Sequence, residues 1–291
     1  MCIAVIITNY SRECPLLIFH NREENVLRKT SPLQLNGNVL SPIDVKAGGV
    51  AAIGMNVKTG LMAVLTNVRY SSSLHAEGCS RGSLLREVLE EEEDGLAEKL
   101  ATREFQGGFH LYLGNLFLEK FSENKITYYS YLGERGVESG GGASATTDLP
   151  TDSSSLPSIL VRMNEHPSNE SQWRKRDLVR DSISAALVSG LSIAELCGAV
   201  TSCMSNSDPL PIHNHNEDYS WSSLPVECER EVQRHILVPK ISCGEDDYFA
   251  TISQTLVYVD RTAREVHYQY RLVGGEQSKN FSSWDHRIIP Y

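Results

Sequence analysis

Apolar and polar positions divide this chain into short runs. Residues 3 to 7, Ile3-Ala4-Val5-Ile6-Ile7, are apolar without interruption and rich in β-branched side chains, the pattern of a buried strand. Asn9-Tyr10-Ser11 and Cys14-Pro15 carry turn chemistry. Leu16-Leu17-Ile18-Phe19-His20 reads as a second strand, so the pair predicts an antiparallel hairpin that delivers Asn21-Arg22-Glu23-Glu24 to its end. Residues 49 to 57 and 61 to 68 alternate as a hairpin about Lys58-Thr59-Gly60 and end at Asn67. The spacing over 80 to 102 predicts helix, with Leu84, Leu85, Val88, Leu89, Leu96 and Leu100 on the apolar face and Glu90 to Asp94 as solvated surface.

Further along, residues 109 to 119 and 125 to 132 read as a strand pair turning at Asn124-Lys125, and 138 to 157, rich in Gly, Ser and Thr, as a flexible surface loop. Ser171-Gln172-Trp173 precedes a helix to about Val188, and a second helix runs from Leu191 to Met204 after Ser189-Gly190. Residues 254 to 260 and 264 to 271 form a last hairpin. Strand pairs at both ends with helices in two blocks describe an α+β fold rather than strict βαβ alternation. No linker breaks the pattern, so residues 1 to 291 read as a single domain.

Composition narrows the partners. The 291 residues, 41% of them hydrophobic, suffice for a substantial core, and a formal charge of −10 argues against nucleic acid or anionic membrane as the main partner. A small-molecule ligand or a protein is expected instead. The apolar run at 3 to 7 is too short for a membrane span or a signal core and lacks a basic leader. Seven cysteines, at 2, 14, 79, 197, 203, 228 and 243, show no CxxC pair and no finger-like grouping with histidine. That usage suits a reducing, cytoplasmic compartment with every thiol free. His213-Asn214-His215 would need further ligands from elsewhere to hold a metal, so no metal site is predicted.

The candidate chemistry sits at the start of the chain. Removal of Met1 before a residue as small as Cys leaves Cys2 carrying both a thiol and a free α-amine. These groups titrate near ~8.5 and ~8, so the amine can take the thiol proton with little driving force. This is the arrangement of N-terminal-nucleophile hydrolases; the alternative is a small buried Cys that happens to follow Met1. Arg22 at the end of the paired strand can lower the thiol pKa or hold a substrate carboxylate or carbonyl oxygen, or else lie in a solvated charged loop. Asn67 at its strand end can donate to an oxyanion, or equally cap the following turn. Asn21, Glu23, Glu24, His110 and Thr251 are candidate substrate contacts.

These residues bring out a likeness. Met1-Cys2-Ile3, Asn21-Arg22-Glu23-Glu24, Leu40-Ser41-Pro42-Ile43-Asp44, the glycines Gly48, Gly49, Gly54 and Gly60 with Asn56, and Ala63-Val64-Leu65-Thr66-Asn67-Val68-Arg69 occur in that order. Ser80-Arg81-Gly82, Gly108-Phe109, Gln172-Trp173-Arg174-Lys175 and Thr251-Ile252-Ser253-Gln254-Thr255 follow. Together they resemble the NRDE-motif family, called the transport and Golgi organisation 2 family, over nearly the whole chain. The sequence departs from it at Glu23, where relatives carry Asp, and at Ala51-Ala52, where they carry Thr-Trp. It departs again at His110, in place of Asn, and at Ala250-Thr251-Ile252, in place of Gly-Thr-Arg.

The resemblance implies a four-layer αββα sandwich of two antiparallel sheets flanked by helices, with Cys2 at its mouth. It also implies a role in Golgi organisation and secretion, haem trafficking or lipid and acyl-CoA balance, in the cytoplasm with association to mitochondria or Golgi. The alternative is an N-terminal cysteine amidohydrolase cleaving a small non-peptide amide through a Cys2 thioester. No cofactor is expected beyond weak haem binding, for which His110 is the candidate ligand. The expected partner is an amide, a lipid-like molecule or haem, with no nucleic acid and no integral membrane segment; the sequence leaves the oligomeric state open.

Overall fold

The computed structural model describes residues 2–68, 78–91, 96–117, 126–131, 144–145, 157–164, 174–187, 190–210, 224–274 and 280–291. The loop expected over 138 to 157 lies outside them except for residues 144, 145 and 157, as do Met1, Gln172-Trp173 and His213-Asn214-His215. In chain order the first elements are β1 (Cys2–Thr8), β2 (Leu16–Asn25), β3 (Gln34–Asn36), β4 (Val39–Ser41), β5 (Ile43–Asp44), β6 (Gly49–Val50), β7 (Ile53–Asn56) and β8 (Leu61–Asn67). There follow α1 (Arg81–Glu91), α2 (Leu96–Thr102), β9 (Phe109–Asn115), β10 (Ile126–Tyr131), β11 (Ser144–Ala145) and β12 (Ser158–Arg162). The last are α3 (Arg174–Ala186), α4 (Ile193–Met204), α5 (Val226–Gln233), β13 (Ile241–Gly244), β14 (Asp247–Asp260), β15 (Glu265–Gly274), β16 (Asn280–Phe281) and β17 (Asp285–Pro290). They divide into two compact units, residues 1–27 with 154–291, and residues 28–153.

In the first unit an antiparallel sheet runs in the order β12-β1-β2-β14-β15-β16, with β13 on β14 and β17 on β15. The predicted first hairpin is its centre, and every residue of β1 is buried, as an unbroken apolar run requires. Asn9 makes the turn with φ of 59°, its N–H donating to Pro15 O at 2.9 Å. Alternation assigns the faces. Ile3, Val5, Ile7, Leu17 and Phe19 meet Val179 and Ile183 of α3, Leu196, Val200 and Met204 of α4, and Val232 of α5. Each such side chain contributes about 1.5–3 kcal/mol by leaving water. Cys2, Ala4 and Ile6 therefore face away from the helices, together with His20 and Arg22.

The second unit carries its own antiparallel sheet, β11-β10-β9-β8-β7-β4-β3, beside a two-stranded β5-β6. Leu61, Ala63 and Leu65 of β8 and Phe109, Leu111 and Leu113 of β9 form one core with Leu84, Leu85, Val88, Leu89, Leu96 and Leu100, the apolar face predicted for the helices. Gly49 allows α1 to approach β6, since a Cβ there would lie 2.3 Å from the Gly82 carbonyl carbon. The α+β class is thus as read from the sequence, and in each unit the helices pack on their own sheet.

Two expectations need correction. The arm read over 49 to 57 is two strands: Gly49–Val50 pairs with β5, and Ala52, at φ of 71°, turns the chain before β7 begins. A residue in the left-handed region cannot continue a ladder, and alternation alone does not reveal it. The thiols are not all free, because Cys228 of α5 and Cys243 of β13 form a disulfide with Cα atoms 5.3 Å apart. Helix packing brings them together, and a separation of 15 residues carries no pairing signal. Cys2, Cys14, Cys79, Cys197 and Cys203 remain free. Among the described residues no helix is long and apolar enough to cross a membrane.

Candidate active site

The first hairpin places Cys2 directly opposite Arg22 in the antiparallel register. A direct cross-strand pair holds side chains together on one face, so the register alone puts a guanidinium beside the sulfur. Both residues are buried, at 5% and 6% exposure. The Cys2 nitrogen donates to Asn164 Oδ1 at 2.9 Å. Asn164 follows β12, whose Arg162 pairs with Ala4, so the strand on the far side of β1 delivers this acceptor. On removal of Met1 the same nitrogen becomes the α-amine, already oriented by a buried side chain.

Burial pushes the Cys2 thiol above its ordinary range, and the positive chain terminus, the Arg22 charge and a hydrogen bond from the Glu23 backbone N–H pull it back down. The Glu23 carboxylate acts in the opposite sense. His20, two residues before Arg22 on the same face, is driven down to about 3 by desolvation, then by Arg22 and the chain terminus, so its ring is neutral at physiological pH. Tyr270 is pushed up to about 12 by burial, with the Ser253 side chain and Arg22 acting against that rise. Ser253 faces Arg22 from β14, immediately after a bulge between Thr251 and Ser253. A bulge there re-aims the strand beside Arg22.

The remaining candidates fall in different places. Glu24 is half-buried, 3.9 Å from Arg22 Nη2. Glu23 lies opposite Thr251 on the helix face, its Oε1 3.4 Å from Lys175 Nζ. Asn21 also turns to the helices: its Nδ2 donates to Met204 O at 3.0 Å and Ile236 O at 3.1 Å, and its Oδ1 accepts from Gln254 Nε2 at 2.9 Å. Thr251 Oγ1 accepts the Val238 N–H at 2.8 Å. Asn67 and His110 belong to the second unit, where Asn67 pairs with Phe109 and Thr66 with His110. His110 Nδ1 lies 2.7 Å from Tyr128 Oη and 3.2 Å from Ser130 Oγ. Cys2, Arg22 and the Glu23 backbone therefore stand together, whereas the Asn21 and Thr251 side chains fasten the helix layer.

Sequence reading missed Asn164, Lys175, His20 and Tyr270. Asn164 had one available signal, an amide three residues past the short apolar run Ile159-Leu160-Val161, just beyond the end of a strand. Among the described residues no group of three or more His, Cys, Asp or Glu is placed to hold a metal.

A sequence model described as Transport and Golgi organisation 2 matches residues 1–272. The chain belongs to that family. The stretch of this Transport and Golgi organisation 2 member that is matched runs through both of its units. No curated protein sequence matches it. Among solved structures it is similar to the Caenorhabditis elegans ortholog of N-acylethanolamine-hydrolyzing acid amidase, at 14% identity and a TM-score of 0.49, covering 88% of this chain and 92% of that one.

Proposed function

We propose that this Transport and Golgi organisation 2 protein is an N-terminal cysteine amidohydrolase acting on a small, non-peptide amide. The observation that carries the reading is the Cys2 nitrogen held 2.9 Å from Asn164 Oδ1 while the sulfur sits opposite Arg22. The α-amine takes the thiol proton as Sγ attacks the amide carbonyl carbon, and Arg22 holds the carbonyl oxygen as it gains negative charge. The ammonium then protonates the leaving nitrogen, the C–N bond breaks and a thioester remains. Water attacks the thioester with its proton passing to the amine, the sulfur leaves and recovers the proton, and a carboxylic acid is released. At 5% exposure Cys2 suits a small substrate better than a polypeptide. The test is amine release from a panel of small amides by protein lacking Met1, with Cys2→Ala at background. Turnover that survives Cys2→Ala contradicts the reading.

A carrier or organising role is the second reading, in Golgi organisation and secretion, haem movement or lipid and acyl-CoA balance, within the cytoplasm or at mitochondria or Golgi. Burial of the Cys2 thiol favours it, since a thiol held above its ordinary range is a poor resting nucleophile. It expects weak, saturable binding of haem or a lipid-like ligand that Cys2→Ala leaves unchanged. A haem titration followed by absorbance, with His110→Ala beside it, checks that expectation.

A further inference from the structure

The buried face of α3 consists of Lys175, Val179 and Ile183, a helical stripe in which an ammonium stands where the pattern calls for an apolar side chain. Lys175 Nζ reaches Glu23 Oε1 at 3.4 Å and donates to Val232 O at 3.1 Å, so one group ties α3 to β2 and to α5. Both ionised side chains are wholly excluded from water. Stability alone does not account for them, because a buried ion pair loses several kcal/mol per ion in desolvation and a well-packed apolar pair does as well or better. What distinguishes the position is Glu23, which follows Arg22 on β2 and presents its backbone N–H to the Cys2 sulfur.

We propose that Lys175 is a positioning residue for Cys2, fixing the Glu23 backbone N–H against the sulfur and compensating the Glu23 carboxylate. This rests on the reading of Cys2 as a nucleophile. The charged groups acting on the thiol are the chain terminus, Arg22 on its own face and Glu23 behind it. Behind Glu23 stands Lys175, and α5 buries Glu229, which accepts from Gln233 Nε2 at 2.8 Å. His235, after α5, is held below its ordinary value chiefly by burial, with the Lys175 charge acting in the same sense. Without the ammonium, the Glu23 carboxylate either stays charged and opposes the thiolate or takes up a proton and titrates.

The test is the rate of Cys2 alkylation by iodoacetamide between pH 6 and 10, read from the mass of the N-terminal peptide so that the other free cysteines do not contribute. Lys175→Met is expected to slow alkylation at pH 7 about tenfold, one pH unit in thiolate population, and to move the profile to higher pH or add a second step. Glu23→Gln, which leaves the ammonium alone, shifts it the opposite way. The Glu23→Gln/Lys175→Met pair returns it close to wild type. Should Lys175→Met not fold, the other two variants decide. Identical profiles in every folded variant overturn the assignment of Lys175 while leaving Cys2 in place; a wild-type Cys2 that is not alkylated at any pH overturns the reading beneath it.

Discussion

At the scale of single residues, the face carrying Cys2 sets the Arg22 guanidinium beside groups whose charged forms burial disfavours. His20 is the one with a consequence for stability. Its folded pKa lies near 3 against an ordinary 6.5, so between these values the unfolded chain binds the proton that the folded chain refuses. The stabilisation linked to His20 is therefore fully present above about pH 6.5 and is lost as pH falls towards 3, by a few kcal/mol in all. Urea denaturation at stepped pH is expected to show that loss, and His20→Gln to flatten it. A slope unaltered by the substitution contradicts the assignment. For Asn164, truncation to Ala leaves the Cys2 nitrogen without its orienting acceptor, and Cys2 acylation is expected to fall roughly 10- to 100-fold with little change in melting temperature. Stopped-time mass spectrometry on the N-terminal peptide checks this.

At the scale of elements, the placement of Cys2 depends on how β1 and β2 are backed by helices. Helix α4 starts with a capping box, the Ser192 side chain accepting the Glu195 N–H at 3.3 Å and Glu195 Oε2 accepting the Ser192 N–H at 2.8 Å. Its last residue, Met204, gives its carbonyl to Asn21 and Gln254. Ser192→Ala is expected to cost about 1 kcal/mol, seen as a lower urea midpoint at constant slope. Gly49→Ala drives a Cβ into the Gly82 backbone and is expected to cost about 3 kcal/mol; the same measurement tests it. Much at this scale was legible in the sequence, because unbroken apolar runs and helical stripes are local signals. The break at Ala52, the bulge at Thr251 and the disulfide between α5 and β13 were not, since each is set by the tertiary partner.

At the scale of the whole molecule, residues 28–153 stand as one continuous unit between the two stretches that build the other, and the family match runs through both. The site was half legible. Cys2 and Arg22 were visible because a tight hairpin fixes register over a short distance in sequence, leaving little freedom in which residues face each other. Asn164 and Lys175, 162 residues from Cys2 and 152 from Glu23, were hidden, because no local pattern records which distant strand or helix closes on a site.

The most direct measurement is the intact mass of the purified protein before and after a thiol-reactive β-lactone probe. The account predicts a starting mass lacking Met1 and a single adduct, mapped to Cys2 and absent from Cys2→Ala. A mass that retains Met1, or an adduct that Cys2→Ala leaves in place, contradicts it.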